Sequence, residues 1–233
     1  MPDGQRVYAI GDIHGRLDLF ERLIAAIEAD DIARGPAETT VILLGDLVDR
    51  GPDSRGVIDR ARRWARQRAV RFIGGNHEEM FLAAFERDEA LRHFLRFGGR
   101  ETLLSYDIDR PTYDRKTVPE LREFLPLVVP EDHVAFMNGM EESIRIGDYL
   151  FVHAGIRPGV PVDEQVTADL RWIRGEFLDD KSDRGFIVVH GHTITDTVDE
   201  QPNRIGIDTG AFASDRLTAI GLEGTDRWFL DTV

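Results

Sequence analysis

The 233-residue sequence contains no cysteine, which excludes disulfides, thiolate nucleophiles and zinc sites with cysteine ligands. It also has no apolar run as long as a membrane-spanning helix. The first residues, MPDGQRVYAIGD, lack the basic region and apolar core of a secretory signal. These absences predict a cytoplasmic protein that does not bind a membrane.

Positive charge is comparatively scarce. The 29 lysines and arginines are outnumbered by 43 aspartates and glutamates, which gives a formal net charge of −14. Nucleic-acid binders usually carry a basic footprint, so we predict no nucleic-acid partner. The one arginine-rich run, residues 59–71, is typical of the solvated face of a helix.

Short apolar runs separated by helical patterns predict the fold class. The strand-like runs are RVYAI, TTVILL, VRFIG, YLFVHA, FIVVHG, RIGID and LTAIGLE. Apolar residues recur at helical spacing between the early runs, so the first half has a βαβαβα pattern, whereas the second half is richer in strands. We predict an α/β (α+β) protein with two mixed β-sheets packed as a sandwich and flanked by helices.

The segment 85–145 differs from the rest of the chain. It contains four prolines (Pro111, Pro119, Pro126 and Pro130), has helical patterns in places and lacks strong strand signals. We therefore interpret residues 1–233 as one domain, in which residues 85–145 form a partly helical, cap-like insertion.

Polar side chains able to bind a cation follow five of the predicted strands. They lie in GDIHGR, GDLVDRGPDS, GNHEEM, HAGIRPG and HGHT, and are Asp12, His14, Asp46, Asp49, Asn76, His77, His153 and His192. Each block alone has a structural explanation, such as a turn, a buried histidine or, for Asn76, a helix N-cap. Because ligands bind at the carboxyl ends of strands in open α/β sheets, their joint placement favours a functional site.

The types of side chain indicate the ligand. Carboxylate, imidazole and amide groups without cysteine suit Mn²⁺, Fe or Zn²⁺ better than Ca²⁺ or a soft ion. Their number exceeds what one ion needs, so we predict two divalent metal ions bridged by a carboxylate.

The motifs GDIHGR, GDLVDRG, GNHEE, VHAG and GHT resemble the ordered motifs of the calcineurin-like metallophosphoesterases. More narrowly, they are similar to those of the small phage and bacterial PPP-type serine/threonine protein phosphatases, as are DLRWIRGEF and RIGIDTGAF. The resemblance implies the metallophosphoesterase fold, Mn²⁺ as the first choice of metal, and attack of a metal-bound hydroxide on a phosphomonoester.

The resemblance also implies a role for each matching residue. The metal ligands are Asp12 and His14 for the first ion, Asp46 between both ions, and Asn76, His153 and His192 for the second. His77 is the general acid, oriented by Asp49, and the phosphate is held by Arg50 and Arg174. The remaining histidines, His93, His133 and His190, match no catalytic position, and Trp172 is expected to pack against its neighbours.

Three interpretations of the function differ in substrate. The first is a serine/threonine protein phosphatase, acting on a phosphoprotein or another small phosphorylated substrate. The alternative is a dinucleoside polyphosphate (diadenosine tetraphosphate) hydrolase of the same superfamily, in which Ala commonly replaces Asp49 and Asp replaces Glu78. This sequence has the protein-phosphatase residue at both positions. The third is an inactive, metal-bound binding module, which the intact set of ligands argues against.

Overall fold

Ten β-strands and eleven α-helices make up the protein in a computed structural model that describes residues 1–233. The strands are β1 (Gln5–Ile10), β2 (Glu38–Leu43), β3 (Val70–Phe72), β4 (Ser143–Ile146), β5 (Tyr149–Val152), β6 (Ile187–His190), β7 (Asp199–Gln201), β8 (Arg204–Gly206), β9 (Thr218–Glu223) and β10 (Asp226–Asp231). The helices are α1 (Leu17–Arg34), α2 (Ser54–Ala65), α3 (Asn76–Ala83), α4 (Asp88–Phe94), α5 (Arg100–Ser105), α6 (Arg110–Arg115), α7 (Val118–Val128), α8 (Glu131–Asn138), α9 (Thr167–Trp172), α10 (Gly175–Leu178) and α11 (Ala211–Ser214). A π-helical turn over Leu95–Gly99 and a 3₁₀ turn over Val162–Glu164 complete the set.

The first sheet has the strand order β10-β9-β1-β2-β3. Its parallel strands β1, β2 and β3 are joined by α1 and α2, as the alternating pattern of the first half predicts. Helix α1 buries Leu19, Phe20, Leu23, Ile24 and Ile27, whose helical spacing gives it one apolar face toward the sheet. Both crossovers return the chain so that the carboxyl ends of all three strands lie at the same edge.

The second sheet has the order β4-β5-β6-β8-β7, with β5, β6 and β8 parallel. Its inner face packs on the first sheet through a fully buried cluster that includes Ala9, Ile42, Phe151, Val189 and Ile220. The predicted α/β fold with two mixed sheets and flanking helices is therefore confirmed. None of the helices combines the length and the hydropathy needed to cross a membrane.

The segment 85–145 is mostly helical and covers α2 and α3. Helices α4 to α8 share a separate apolar cluster with α3, built around the stacked rings of Phe81 and Phe94. The last three residues of this segment, Ser143–Arg145, belong to β4. This strand pairs with β5 and buries Ile144 in the second sheet.

Candidate metal centre and active site

Asp46 lies at the centre of two groups of buried side chains. In the first group, ligand atoms of His14, Asp46 and His77 all lie within 4.8 Å of one another; in the second, the same holds for Asp46, His153 and His192. The Asp46 oxygens are divided between the groups, with Oδ2 3.7 Å from His14 Nε2 and Oδ1 3.4 Å from His153 Nε2. The two oxygens of the Asp46 carboxylate are thus placed to contact one bound ion on each side.

The loops that carry these side chains adopt an uncommon backbone conformation. Five non-glycine residues of the site have a positive φ: His14 (46°), Asp46 (50°), Asp49 (74°), Arg50 (67°) and His192 (62°). L-residues adopt this left-handed region infrequently, at a cost of order 1–3 kcal/mol each. Backbone strain that recurs at the ends of several strands is typical of a functional site, where the surrounding fold holds side chains in one orientation.

Two glycines allow these loops to approach the carboxylates closely. A Cβ added at Gly75 would lie 2.2 Å from Asp46 Oδ1, and one at Gly191 would lie 2.0 Å from Asp12 Oδ1. Any side chain at either position would therefore displace a carboxylate of the site.

Asp12 binds the loop that carries His192 and has a second carboxyl group beside it. The backbone N–H of His192 donates to both Asp12 oxygens, at 3.1 and 3.2 Å. Burial and then the negative charge of the nearby Asp208 raise the pKa of Asp12, and Asp208 Oδ1 accepts from the Gly210 N–H at 2.9 Å. Asp208 is not among the predicted site residues, although it is the last residue of the predicted strand run RIGID and lies two residues after the end of β8.

The electrostatics of the centre fit divalent cations. Burial raises the pKa of Asp46 to about 7 and that of Asp12 well above its ordinary value, because both carboxylates lose water. Burial lowers the pKa of His153 to about 4 and that of His192 to about 2, so both imidazoles are neutral. Neutral imidazoles beside carboxylates that lack a counter-charge are the donors that Mn²⁺, Fe and Zn²⁺ take.

Two histidines are oriented as metal ligands usually are. The Nδ1–H of His14 donates to the Val48 carbonyl and that of His153 to the Leu44 carbonyl, both at 2.8 Å. This leaves a lone pair on each Nε2. His153 Nε2 faces Asn76 Oδ1 at 2.9 Å, so two acceptors lie together, and His192 Nε2 is buried without a hydrogen-bond partner. A cation among these atoms would satisfy all of them.

His77 and Asp49 form a buried pair at the first group. The His77 Nδ1–H donates to Asp49 Oδ2 at 2.6 Å, which leaves Nε2 facing the centre, 3.9 Å from Asp46 Oδ2. Thr102, from α5, donates its hydroxyl to Asp49 Oδ1 at 2.7 Å and accepts from the Asp49 N–H at 2.8 Å. The sequence offers no signal for Thr102, which lies 53 residues away in a segment without a motif.

The two predicted phosphate ligands differ in placement. Arg50 lies at the first group, where its guanidinium donates to His14 Nε2 at 3.0 Å and to His77 Nε2 at 3.1 Å. It forms no ion pair with a carboxylate, so its charge is available to an anion. Arg174 lies beside the second group but donates to the His192 carbonyl and to Thr193 Oγ1, both at 3.2 Å.

Glu78 anchors the Asp46 loop through its buried carboxylate. It accepts from the backbone N–H groups of Asp46 (2.8 Å), Leu47 (2.7 Å) and Val48 (3.3 Å), and from that of Gly75 (2.9 Å). Gly75 is therefore the N-cap of α3, and the interpretation of Asn76 as the N-cap is wrong by one residue. Asn76 begins the helix, and its side chain is directed to His153 instead.

The three histidines without a predicted role lie outside both groups. His190 packs edge-on against Phe177 and bonds the Gly191 carbonyl. His133 bridges Tyr106 and Asp59 in the helical segment, and His93 is exposed.

A family model described as calcineurin-like phosphoesterase matches residues 5–219. The chain is 33% identical over 158 residues to a symmetrical bis(5'-nucleosyl)-tetraphosphatase of Acidovorax sp. (strain JS42), covering 68% of this chain and 47% of that protein. It is 25% identical over 230 residues to the asymmetrical bis(5'-nucleosyl)-tetraphosphatase PrpE of Anoxybacillus flavithermus, covering 91% and 88%. The chain thus spans about half the length of the symmetrical enzymes that it matches.

Solved structures share the whole fold. A protein provisionally assigned as a diadenosine tetraphosphatase superposes with a TM-score of 0.68 at 24% identity, over 98% of this chain and 94% of the other. The cold-active protein-tyrosine phosphatase of a psychrophilic Shewanella superposes with a TM-score of 0.65 at 18% identity, over 99% and 82%. These likenesses confirm the predicted metallophosphoesterase fold.

Proposed function

Because the chain belongs to the calcineurin-like phosphoesterase family, we propose that it is a metal-dependent hydrolase that cleaves a dinucleoside tetraphosphate. The observation that carries the chemistry is the position of Asp46 between two groups of imidazoles, of which His153 and His192 are neutral. We assign two divalent ions, Mn²⁺ first and Fe or Zn²⁺ otherwise, to Asp12, His14, Asp46, Asn76, His153 and His192. Bound there, such ions neutralise phosphoryl oxygens and lower the pKa of water.

Side chains at and beside the first group supply the remaining chemistry. Arg50, which has no carboxylate partner, binds a phosphoryl oxygen. His77 Nε2 faces the centre, and the ring, once Nε2 has taken a proton from solvent, donates that proton to the leaving oxygen. Asp49, 2.6 Å from His77 Nδ1, stabilises the protonated ring and fixes its orientation, and Thr102 holds Asp49 in turn.

The relatives support the dinucleotide over the phosphoprotein that the motifs favour. Several matching curated proteins are named as bis(5'-nucleosyl)-tetraphosphatases, and the asymmetrical one is matched along 88% of its length. One of the two residues used to separate the classes, Glu78, is buried and accepts from four backbone N–H groups. Its identity therefore says little about the substrate.

Phosphoserine or phosphothreonine is a second candidate because of the Asp49–His77 pair. A general acid contributes most when the leaving group is a basic alkoxide, as it is in those esters. A nucleoside diphosphate or triphosphate leaves more readily and needs this help less.

A comparison of substrates tests the proposal. The metal-loaded protein is assayed with diadenosine tetraphosphate, phosphoserine and phosphotyrosine peptides, and p-nitrophenyl phosphate. We expect the highest kcat/KM for diadenosine tetraphosphate, and the nucleotide products identify which bond is cut. A higher kcat/KM for a phosphopeptide, with the dinucleotide left intact, would replace the first candidate by the second.

A further inference from the structure

Two partly exposed aromatic rings stand on either side of the candidate metal centre. The Phe212 ring lies edge-on to the His14 ring, with 5.5 Å between centroids. The Trp172 ring lies edge-on to the His192 ring, with 6.4 Å between centroids. Since His14 and His192 belong to different groups around Asp46, each ring flanks a different half of the centre.

Trp172 packs against a neighbour, His192, as expected from the sequence, and also lines a cavity of about 340 Å³. Its side chain is 37% exposed, although it lies at the end of α9 next to a buried imidazole. Besides Trp172, the cavity is lined by the apolar residues Met80, Ala83 and Ala90 and by the polar or charged residues Glu79, Arg87, Glu89 and His93. A lining that mixes apolar residues with a few polar groups is typical of a small-molecule subsite.

Phe212 lines a larger cavity, of about 770 Å³, on the other side of the centre. The Arg50 guanidinium carbon lies 4.6 Å from the Phe212 ring centroid, so the cation and the ring form one stacked surface. The lining also includes Asp18, which pairs with Arg16, and the carboxylates of Glu21 and Asp53. These carboxylates disfavour a phosphate chain in this cavity but do not oppose an uncharged base.

We propose that Trp172 and Phe212 are stacking platforms for the two nucleobases of a dinucleoside polyphosphate. This inference rests on the proposed function and adds a binding subsite for each of the two bases of the proposed substrate. The polyphosphate lies between the platforms, at Arg50 and the metal ligands. A ligand with an anionic middle and two uncharged aromatic ends matches this order of charges and rings.

The test is a series of three inhibitors with the same number of phosphates and none, one or two bases. They are inorganic tetraphosphate, adenosine 5'-tetraphosphate and diadenosine tetraphosphate, each assayed by initial rates against p-nitrophenyl phosphate hydrolysis. Stacking on an aromatic side chain corresponds to roughly 5- to 100-fold in affinity per base, so the inhibition constant is expected to fall at each step. Negative charge decreases along the series, so attraction to the metals cannot produce that order.

Substitutions show which aromatic ring produces each decrease in the inhibition constant. Trp172→Ala and Phe212→Ala should each remove the contribution of one base, and in the double variant the inhibition constant should no longer fall along the series. Trp172→Phe, which keeps a ring, should retain most of the effect. The matched control is Phe229→Ala, on β10, because Phe229 is 36% exposed and lies outside both cavities. Tryptophan fluorescence gives a second readout: the dinucleotide should quench it in the wild type and in Phe212→Ala, but not in Trp172→Phe.

The outcomes separate this inference from the proposed function. Equal inhibition constants for the three compounds in the wild type, or an equal effect of Phe229→Ala and Trp172→Ala, would overturn the platforms even if the dinucleotide is cleaved. A different outcome is that the inhibition constant falls with each added base, that Trp172→Ala and Phe212→Ala each remove one of these decreases, and that the dinucleotide binds but is not cleaved. That outcome would support the stacking platforms and overturn the proposed activity.

Discussion

At the scale of single residues, the position of Asp46 depends on three neighbours that act on its backbone and carboxylate. Glu78 accepts from its N–H, Gly75 leaves room for its Oδ1, and the His77 N–H donates to that oxygen at 3.0 Å. These contacts hold a residue with a φ of 50° and direct its two oxygens to different histidines. The bridging role that we assign to Asp46 therefore follows from packing around it.

Asp46→Asn should lose far more activity than Asp49→Asn. The first removes a charge that two cations share, whereas the second weakens only the orientation and protonation of His77. Changes to groups that orient another residue typically cost about 10–100-fold. Turnover and metal content are measured for both variants. Near-normal turnover of Asp46→Asn with two ions bound would show that it does not bridge them.

His77→Asn should reduce hydrolysis of phosphoserine more than that of p-nitrophenyl phosphate. A general acid contributes roughly 10²–10⁴-fold where the leaving group needs a proton, and p-nitrophenolate leaves without one. Metal content should stay at the wild-type level. An equal loss for both substrates would mean that His77 supports the fold or the metals and does not donate the proton.

Most site residues that directly follow a strand could be predicted from the sequence. Residues that contact the site from a distant helix could not. Asp12, Asp46 and His153 each follow an apolar run, and the structure brings all three to one centre. Thr102 contacts Asp49, which is 53 residues away in the sequence. Trp172 contacts His192, which is 20 residues away. No local pattern encodes such contacts, because they depend on how two segments pack.

At the scale of secondary structure elements, the strands missing from the sequence analysis are all at sheet edges. Strands β4, β7 and β10 have the sequences SIRI, DEQ and DRWFLD and end the two sheets. These three edge strands face water and contain few apolar residues, so they give no continuous apolar run, unlike the edge strand β3, which lies in the predicted run VRFIG. The central strands are buried on both faces and were recognisable for that reason.

The helical segment contacts the active site through α5 and the π-helical turn. Thr102 binds Asp49, and the Arg50 N–H donates to the Gly98 carbonyl at 3.1 Å. Gly98 has a φ of 105°, and a Cβ there would lie 2.7 Å from the Arg50 backbone nitrogen. The segment thus fixes both the carboxylate that orients His77 and the arginine beside it.

Thr102→Val should weaken this connection, whereas Thr102→Ser should preserve it. Valine keeps the shape but leaves the buried Asp49 Oδ1 without a partner and the Asp49 N–H with Ser54 Oγ alone, at a cost of about 1–3 kcal/mol in the free energy of unfolding. Phosphoserine turnover should fall more than p-nitrophenyl phosphate turnover, as for His77. Urea unfolding and both turnover rates are measured, and similar values for Val and Ser would exclude a role for the hydroxyl.

At the scale of the whole molecule, the acidic centre links folding to metal and pH. In the metal-free protein the raised pKa of Asp46 favours the folded state at low pH, and this contribution is lost as pH rises from near 3.8 to about 7. His153 and His192 have lowered pKa values, so their contribution is complete above 6.5 and is lost as pH falls toward about 4 and about 2. As pH falls below 7, the contribution of Asp46 to the stability of the folded state therefore increases, while that of His153 and His192 decreases.

Mn²⁺ should therefore raise Tm more near pH 8 than near pH 5, because Asp46 must release its proton before a cation binds. Thermal unfolding with and without metal at both pH values measures the difference. Mg²⁺-free, chelator-treated protein is the reference state, and Phe229→Ala serves as a variant with an unchanged centre. The same increment in Tm at both pH values would place the bound metal away from Asp46.

The central claim is that two metal ions share the Asp46 carboxylate. Crystals grown with Mn²⁺ give the most direct measurement, an anomalous difference map. We predict two peaks, roughly 3.5–4 Å apart, one beside each Asp46 oxygen. A single peak, or two peaks that do not contact Asp46, would contradict the account.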